Sequence, residues 1–521
     1  MADDSPIQAI QIAIHGLVQG VGFRPFIYRC CTDLLLRGWV ENNNQGVQIH
    51  AEGSPHALSK LLTQIQENAP TGSIIQEIHT RPVAPLACPD FQVKPSVAGS
   101  GENTARFPPD RVTCKECYCD ISDPLNRRYQ YAFTTCVACG PRFSILRSLP
   151  YDRILTTMEP FLLCADCEKE YRDPANRRFH AEPIACPRCG PHVALEDLKG
   201  MDAIRRAAQL LSQGHILAMK GLGGYQLLAR ADSSPVIQEL RRRKQRPTKP
   251  FAVMVRSLEA ARLIGAIQER EATALQSARG PIVLVNKRQT ASLVEEIAPG
   301  CGQVGLILPT TPLHVLLLTL CDFPLVATSG NKSDEPIAIS TEEAEKDLNG
   351  IADHFLHHDR AIERRMDDSV VKVVAGQERV IRSARGFAPT PLDNLEKWIA
   401  REFARFDQGP EPIIALGAQQ KNAQAIWTGT QAILGAHLGD LDHPKTMKAF
   451  HDHFLRFPND YGCEVRHLAC DLHPDYASTK YAQSTGLPVT LVQHHHAHAV
   501  ASMLEHNLLE EEVLAFCWDG T

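Results

Sequence analysis

Eight of the 17 cysteines fall into four C-x-x-C pairs: Cys114/Cys117, Cys136/Cys139, Cys164/Cys167 and Cys186/Cys189. Eighteen residues separate the two pairs of each half, and every cysteine of the first half recurs 50 positions later. The repeat extends beyond cysteine. Asp123-Pro124 returns as Asp173-Pro174, Asn126-Arg127-Arg128 as Asn176-Arg177-Arg178, and Gly140-Pro141 as Gly190-Pro191. C-x2-C-x18-C-x2-C is the spacing of a four-thiolate zinc site, in which two tight turns each present two sulfurs. Four thiolates close a tetrahedron and leave no position for a substrate, so the expectation is two structural Zn2+ ions rather than a catalytic metal. Two matched quartets also exceed what a redox dithiol needs. Zinc held within each half is the simple arrangement, and pairs exchanged between halves meet the same spacing. Cys119 breaks the repeat and is not expected to be a ligand.

Three further segments combine residue types that do chemistry. In Gly16-Leu17-Val18-Gln19-Gly20-Val21-Gly22-Phe23-Arg24 the glycines let the backbone curl around an anion. The free amides at the start of a following helix point at that anion, and Arg24 adds bidentate donors for phosphate. A plain glycine turn with a surface arginine has the same residues. Six of the nine residues from Arg241 to Lys249 are cationic. Such a run serves as a solvated face, or as the basic mouth of a pocket for a polyphosphate or RNA. In His494-His495-His496-Ala497-His498, a helix would put His494 and His498 one turn apart on one face, where they could share a metal ion; a polar helix face is the alternative.

Hydrophobic period supplies the elements that carry these groups. Ile10, Ile12 and Ile14 alternate as in a half-buried strand, and Phe23 to Leu36 reads as a helix. Trp39–Asn42 and Val47–Ala51 read as a hairpin, and Leu58, Leu61, Leu62 and Ile65 have helical spacing. Ile74–Val83 with Phe91–Val93 supplies a last strand, giving the β-α-β-β-α-β order of a ferredoxin-like fold. Further on, a helix near Asp202–Gln213 leads to a strand at Ile216–Lys220, and a second helix ends in the basic run before a strand at Phe251–Val255. Leu392–Gly409 reads as a linker with helical content, and Ile413 opens a strand running into a small-residue turn.

The fold class is therefore multidomain α/β and α+β, and 521 residues at roughly 100–200 per domain allow three to five domains. A net charge of −6 excludes a globally basic nucleic-acid coat, and 44% hydrophobic with 22% charged residues excludes a largely disordered chain. No apolar run approaches the ~18–20 residues of a membrane span. The longest candidate, Leu313–Leu320, contains His314. The acidic N-terminus lacks the features of a signal peptide, so a cytoplasmic protein without a membrane partner is expected.

These segments resemble known families. Val18–Arg24 followed by Gly38-Trp39-Val40-Glu41-Asn42 is similar to the acylphosphatase signature, which implies that Arg24 binds phosphate and Asn42 positions the attacking water. Lys244-x-Arg246-x-x-Lys249-Pro250, Thr328-Ser329-Gly330-Asn331 and Arg365-Met366-Asp367-Asp368-Ser369-Val370 resemble the YrdC/Sua5 family. That resemblance implies a twisted α/β domain with a basic concave surface for ATP and a carbamoyl-type adenylate. Lys244, Arg246, Lys249, Ser329, Asn331 and Ser369 carry over as its binding residues, with Asp359-Arg360, Arg382 and Arg385 nearby. His494 and His498 match the H-x-x-x-H metal motif of the Kae1-like, actin-fold ATPases. The implied domains are 1–97 acylphosphatase-like, 110–193 duplicated zinc finger, 200–390 YrdC-like and 410–521 partial Kae1-like. The last stretch is too short for two lobes, so a fragment or a truncated final domain is expected.

The order of these parts resembles the HypF-type carbamoyltransferase family of nickel–iron hydrogenase maturation. The resemblance implies hydrolysis of carbamoyl phosphate, ATP- and Mg2+-dependent formation of carbamoyl-adenylate with release of pyrophosphate, and transfer to the C-terminal cysteine of a HypE-type partner. It also implies a divalent metal in the last domain. Two alternatives stand beside it. One is a threonylcarbamoyl-adenylate synthase of tRNA modification, against which the acylphosphatase-like part speaks. The other is a non-enzymatic zinc-ribbon protein that grips RNA or DNA through the Asn-Arg-Arg repeats and the 241–249 run. The acidic balance and 6% aromatic content argue against that last reading, and no nucleic-acid partner is expected.

Overall fold

The structure is a computed structural model that describes residues 6–97, 103–289, 293–333, 335–404 and 409–519. It divides into two units, one of residues 1–333 with 337–386 and one of 334–336 with 387–521.

The larger unit opens with β1 (Gln8–Leu17), α1 (Phe23–Asp33), β2 (Arg37–Asn43), β3 (Gly46–Gly53), α2 (Pro55–Glu67), β4 (Ile74–Val83) and β5 (Phe91–Val93). Their sheet has the order β4-β1-β3-β2-β5. Ile12 and Ile14 of β1 face a core with Phe23, Ile27, Val40, Ile49, Leu61 and Ile65, so alternation on the strands meets the helical stripes. Helix α1 stops at Asp33, before the expected Leu36, because Leu35 turns left-handed (φ 54°) and sends Leu36 into the core. The expected last strand is two strands. Pro85 and Pro89 interrupt the chain after Val83, β4 pairs antiparallel with β1, and β5 crosses to the far edge to pair parallel with β2.

The zinc segment is mostly turns around two short helices, α3 (Lys115–Ser122) and α4 (Ala165–Arg172), each beginning right after its first cysteine. The repeated polar residues close its turns: Asn126 and Asn176 each accept the backbone N–H two residues on, at 2.9 Å.

An eleven-stranded sheet follows. From edge to edge it runs Gln377–Arg382, Val370–Val374, Ile282–Asn286, Gln303–Ile307, Ala252–Met254, Leu325–Ser329, Tyr225–Arg230, Leu217–Lys220, His354–His358, Val193–Leu195 and Leu198–Lys199. Helix α5 (Gly200–Ser212) buries its Ala203, Ile204, Ala207 and Leu211 face. It packs on α6 (Pro312–Leu320), whose residues Pro312–Leu318 are all buried. The longest apolar run is thus a nine-residue core helix. No helix among the described residues is long and apolar enough to cross a membrane.

In the smaller unit, Ile413–Ala415, His467–Asp471 and Val489–Val492 run parallel within a six-stranded sheet, and α7 (His494–Glu505) follows the last of them. The expected linker contains the helix Asp393–Phe403; its residues 405–408 lie outside the described residues.

Gly38 is where strand geometry is tightest. Its φ is +132°, and a Cβ there would lie 1.9 Å from the His50 carbonyl oxygen of the paired strand. Gly38→Ala is expected to pry β2 from β3 and cost on the order of 2–4 kcal/mol, read from a denaturant melt. An unchanged midpoint would contradict this packing.

Candidate active sites and zinc centres

The cysteines gather into two quartets, Cys114/Cys117/Cys136/Cys139 and Cys164/Cys167/Cys186/Cys189, each with its sulfurs within 4.8 Å of one another. Cys114–Cys136 and Cys136–Cys139 are 3.7 and 3.8 Å apart, and Cys164–Cys186 and Cys167–Cys189 are 3.7 and 3.6 Å apart. A tetrahedron with Zn–S bonds of about 2.3 Å has sulfur–sulfur edges of about 3.8 Å. The donors therefore fit Zn2+ without rearrangement. Of the two arrangements the spacing allowed, the structure has the ligands paired within each half.

What crosses between the halves is arginine. Arg127 Nη2 donates to Cys167 Sγ at 3.2 Å, Arg128 Nη2 to Glu170 at 2.6 Å and Arg128 Nε to the Ala185 carbonyl at 2.8 Å. The second half returns the same contacts at the 50-residue offset. Arg177 Nη1 donates to Cys117 Sγ at 3.1 Å, Arg178 Nε to the Thr135 carbonyl at 3.1 Å, and both guanidinia grip Asp120. Guanidinium donors on the sulfurs spread the excess negative charge of a four-thiolate centre. Burial would raise the Glu170 carboxyl, but Arg127 and Arg128 outweigh it and hold it down to about 2. The Asn-Arg-Arg repeats are thus spent inside the zinc module, which removes them from the nucleic-acid reading.

The glycine loop is locked against this module. Gly20 and Gly22 are left-handed (φ +68° and +83°), and Gly22 caps α1. Gln19 donates to the Asn43 and Gly46 carbonyls at 2.6 and 2.8 Å and accepts from the Tyr151 amide at 2.8 Å. Arg142 Nε donates to the Gly20 carbonyl at 2.6 Å. The loop, Arg24, Asn42, Arg142, His180 and Glu182 line one small cavity of about 20 Å3. Arg24 is buried and donates to Glu182 at 2.6 Å and to Ser96 at 3.3 Å. Asn42 lies beside it, 1% exposed, and its Oδ1 finds no protein partner. Burial, aided by Arg24, drives His180 down to about 3, so its imidazole is neutral. Complete burial pushes Glu182 up to about 7 against the pull of Arg24. Glu182 was missed in the sequence, since it lies 158 residues from Arg24 and outside the conspicuous motifs.

A larger cavity of about 190 Å3 opens on the eleven-stranded sheet, lined by Gly223, Gly224, Arg246, Thr328, Ser329, Asp368, Arg382 and Arg385 among others. Asp368 organises its floor. It accepts from Arg385 at 2.8 Å and Gln226 at 2.7 Å, while Arg382 donates to its backbone carbonyl at 2.9 Å. Lys244 is 1% exposed and stands behind the wall. Its Nζ donates to the Ser329 carbonyl, the Asn331 carbonyl and Asn331 Oδ1 at 2.7, 2.6 and 2.8 Å, holding the Ser-x-Asn turn in shape. Ser369 is also buried and binds the Arg385 carbonyl and the Ala384 amide. Lys249 is exposed and outside the lining. Of the six residues expected to bind here, Arg246 and Ser329 line the cavity.

In the smaller unit, His494 Nε2 and His498 Nε2 each lie 2.9 Å from one oxygen of Asp519, and His494 Nδ1 lies 2.6 Å from Asp471. Two imidazoles and a carboxylate thus converge, with Asp471 fixing one ring as carboxylates fix metal-bound histidines. Asp519 is the third group, which spacing alone did not single out.

The fold and sites together define a multidomain protein with an acylphosphatase-like phosphate loop, paired four-cysteine centres and a basic α/β cavity. Family models match in the same order: Acylphosphatase over residues 10–93, HypF finger over 113–146 and 163–196, the Sua5/YciO/YrdC model described as telomere recombination over 209–384, and HypF Kae1-like domain over 408–505. The chain belongs to the HypF family. It is 43% identical over 523 residues to a carbamoyltransferase HypF of Synechocystis sp., covering 99% of this chain and 66% of the relative. A probable carbamoyltransferase HypF of Methanocaldococcus jannaschii is 37% identical, with 97% and 66% covered. A crystal structure of full-length HypF in the phosphate- and nucleotide-bound form superposes with a TM-score of 0.92 at 40% identity, covering 98% of this chain and 66% of that one. The chain thus spans 66% of the length of these relatives. The HypF finger match and the two quartets together assign zinc binding to the cysteines.

Two predictions follow from this geometry. Metal analysis should return two zinc per chain. Chelation should then raise hydrogen exchange in Val18–Phe23 as well as in 136–142, because Arg142 ties the two; exchange confined to the cysteine turns would refute the tie. Glu182 carries the second prediction. Its carboxyl holds a proton in the fold between the ordinary value of 4.5 and about 7, where the unfolded chain has lost it, so its contribution to stability falls as pH rises through that window. Glu182→Gln should flatten that fall, so the stability difference between the two proteins should change across that window in the variant's favour as pH rises. Identical stability–pH curves for the two proteins would reject the pair.

Proposed function

We propose that this chain carries the hydrolysing and adenylating parts of a carbamoyltransferase that supplies the cyanide precursor of nickel–iron hydrogenase. One observation carries the reading: a phosphate loop armed with Arg24 and Asn42 lies in the same compact unit as a basic α/β cavity. A neighbouring family member has a phosphate- and a nucleotide-bound form, and those two ligand classes suit the two cavities here.

In this reading the loop amides and Arg24 hold the phosphoryl group of carbamoyl phosphate. The unpartnered Asn42 amide aligns a water for attack on phosphorus, and phosphate and carbamate are released. Carbamate is a poor electrophile and decomposes in water, so it benefits from a second site in the same body. In the larger cavity a carbamate oxygen attacks the α-phosphorus of ATP, which enters with Mg2+, and pyrophosphate leaves. Arg246, Arg382 and Arg385 neutralise charge at phosphorus, Ser329 contacts the phosphates, and Lys244 with Asn331 fixes the turn that presents Ser329. Lys249 and Ser369 support that wall from outside the lining. The Kae1-like part then passes the carbamoyl group from the adenylate to the C-terminal cysteine thiol of a HypE-type partner: the C–S bond forms, the C–O bond to AMP breaks, and AMP and the thiol proton leave. His494, His498 and Asp519 would hold a divalent metal there, with Asp471 orienting His494, and such an ion would supply positive charge for phosphate groups. Reduced, metal-bound thiols suit a cytoplasmic enzyme.

The test separates the two sites. Arg24→Ala or Asn42→Ala should lower phosphate release from carbamoyl phosphate by about a hundredfold or more, the scale of one preorganised group. Arg246→Ala should lower ATP–pyrophosphate exchange while phosphate release stays intact. Exchange driven by threonine with bicarbonate, and not by carbamoyl phosphate, would replace this reading with the tRNA-modification chemistry.

A further inference from the structure

Strand β3 alternates, and one of its faces joins the core. Val47, Ile49 and Ala51 pack with Ile27 and Leu61 of the helices. His50 and Glu52 therefore point to the other face, yet they are only 4% and 3% exposed. The connection between β4 and β5, residues 84–90, covers them as it runs from one edge of the sheet to the other. Cys88 alone of that connection is half-buried, and its other six residues are exposed.

Three different donors meet beneath the crossing. His50 Nε2 lies 2.7 Å from Glu52 Oε1. The ring nitrogen, a carboxylate oxygen and Cys88 Sγ all lie within 4.8 Å of one another. Each donor is held from behind, as metal ligands are. The Leu86 and Cys88 amides donate to Glu52 at 2.6 and 3.3 Å, and the left-handed Ala87 (φ 54°) turns the chain between them. The Trp39 ring stacks on the imidazole at 6.0 Å and 18°. Lys94 rests over the Trp39 ring at 4.2 Å, and among the described residues no Lys or Arg lies within ion-pair distance of Glu52.

A buried carboxylate without such a partner is costly. Glu52 and a Cys88 thiolate together carry two negative charges, which one divalent ion neutralises. Imidazole, thiolate and carboxylate suit Zn2+ better than Mg2+ or Ca2+. We propose that His50, Glu52 and Cys88 bind a divalent ion of the zinc class, separate from the two cysteine quartets. As the metal–sulfur bond forms, the thiol proton leaves to solvent, and His50 carries its ring proton on Nδ1 so that Nε2 donates its lone pair. Tetrahedral edges for such bonds are roughly 3.3–3.6 Å, so the His50–Glu52 contact opens by about half an ångström. Three protein donors leave a fourth position for water. The ion clasps the crossing segment to the central strand of the sheet. The phosphate loop is not involved, since Asn42 shares the core-side face of β2 with Val40 while Trp39 and His50 face the other way. The site therefore does not rest on the function proposed above.

The full chain with Zn2+ in both quartets, titrated with Co2+, tests this. A thiolate bound to Co2+ gives a near-ultraviolet charge-transfer band, which the histidine–carboxylate set of His494, His498 and Asp519 does not give. The wild-type chain should develop that band without releasing zinc. Cys88→Ser should remove it, and His50→Gln should weaken Co2+ binding by about tenfold or more, the least that a disturbed ligand shell costs. Both variants should keep two zinc per chain, the sign that the quartets remain folded. In the wild-type chain, added Zn2+ should also shield the Cys88 thiol from iodoacetamide, read by peptide mass. A wild-type chain without the band, or an equal band in Cys88→Ser, would overturn the site. Unchanged Co2+ affinity in His50→Gln would reduce it to a lone thiol and overturn it too. Labelling of wild-type Cys88 as fast with Zn2+ as without it would do the same with no variant needed.

Discussion

An arginine in a protein interior stays charged, and its five N–H donors must find oxygen or sulfur there. This chain uses that demand to join its parts. Arg128 and Arg142 head its fully buried side chains, and Arg24, Arg178, Arg364 and Arg385 are nearly as enclosed. Most of them reach a different segment of the fold. Arg24 meets Glu182 of the zinc module, Arg142 holds the phosphate loop, and Arg364 of the α/β part donates to the Leu146 carbonyl. Remove a partner and a charge is stranded without solvent, a far larger penalty than a lost surface contact. The arginines therefore specify how the phosphate loop, the zinc module and the sheet seat together.

The zinc centres acquire a meaning from the same constraint. A duplicated four-cysteine unit could be two independent beads. Here each half supplies guanidinium donors to the other half's thiolate and carboxylate, Arg127 to Cys167 and Arg177 to Cys117, so the halves form one pseudo-symmetric body. The turn carrying Cys136 and Cys139 then continues through Gly140, Pro141 and Arg142, which wall two cavities in succession. A metal-held turn is stiffer than a loop of the same length, since metal binding is itself folding free energy. Such a wall keeps the small neighbouring cavities distinct.

The basic run shows how one local feature divides its roles in three dimensions. Arg242 and Arg243 pair with Glu239, Arg241 stacks on Phe251, Lys244 bolts the Ser-x-Asn turn, and Arg246 reaches the cavity lining. Helical rotation splits Arg241 to Lys244, since neighbouring residues point about 100° apart, and the left-handed Gln245 ends the helix before Arg246.

Much of the plan was legible in the residues. The 50-residue repeat, the C-x2-C-x18-C-x2-C spacing, the glycine loop and the H-x-x-x-H helix are local patterns, and local patterns survive in one dimension. Strand alternation placed β1 to β3, and the apolar run at Leu313–Leu320 emerged as a core helix because both of its faces are covered. Register between distant strands was not legible, so β4 and β5 read as one element. Nor were the partners of buried charge: Glu182 for Arg24, and Asp519 for His494 and His498. Side-chain type and spacing determine what a segment is able to do. Which charge meets which across 150 residues depends on packing, and only the tertiary structure decides it, because desolvation makes each buried ion answer to whatever the fold brings beside it.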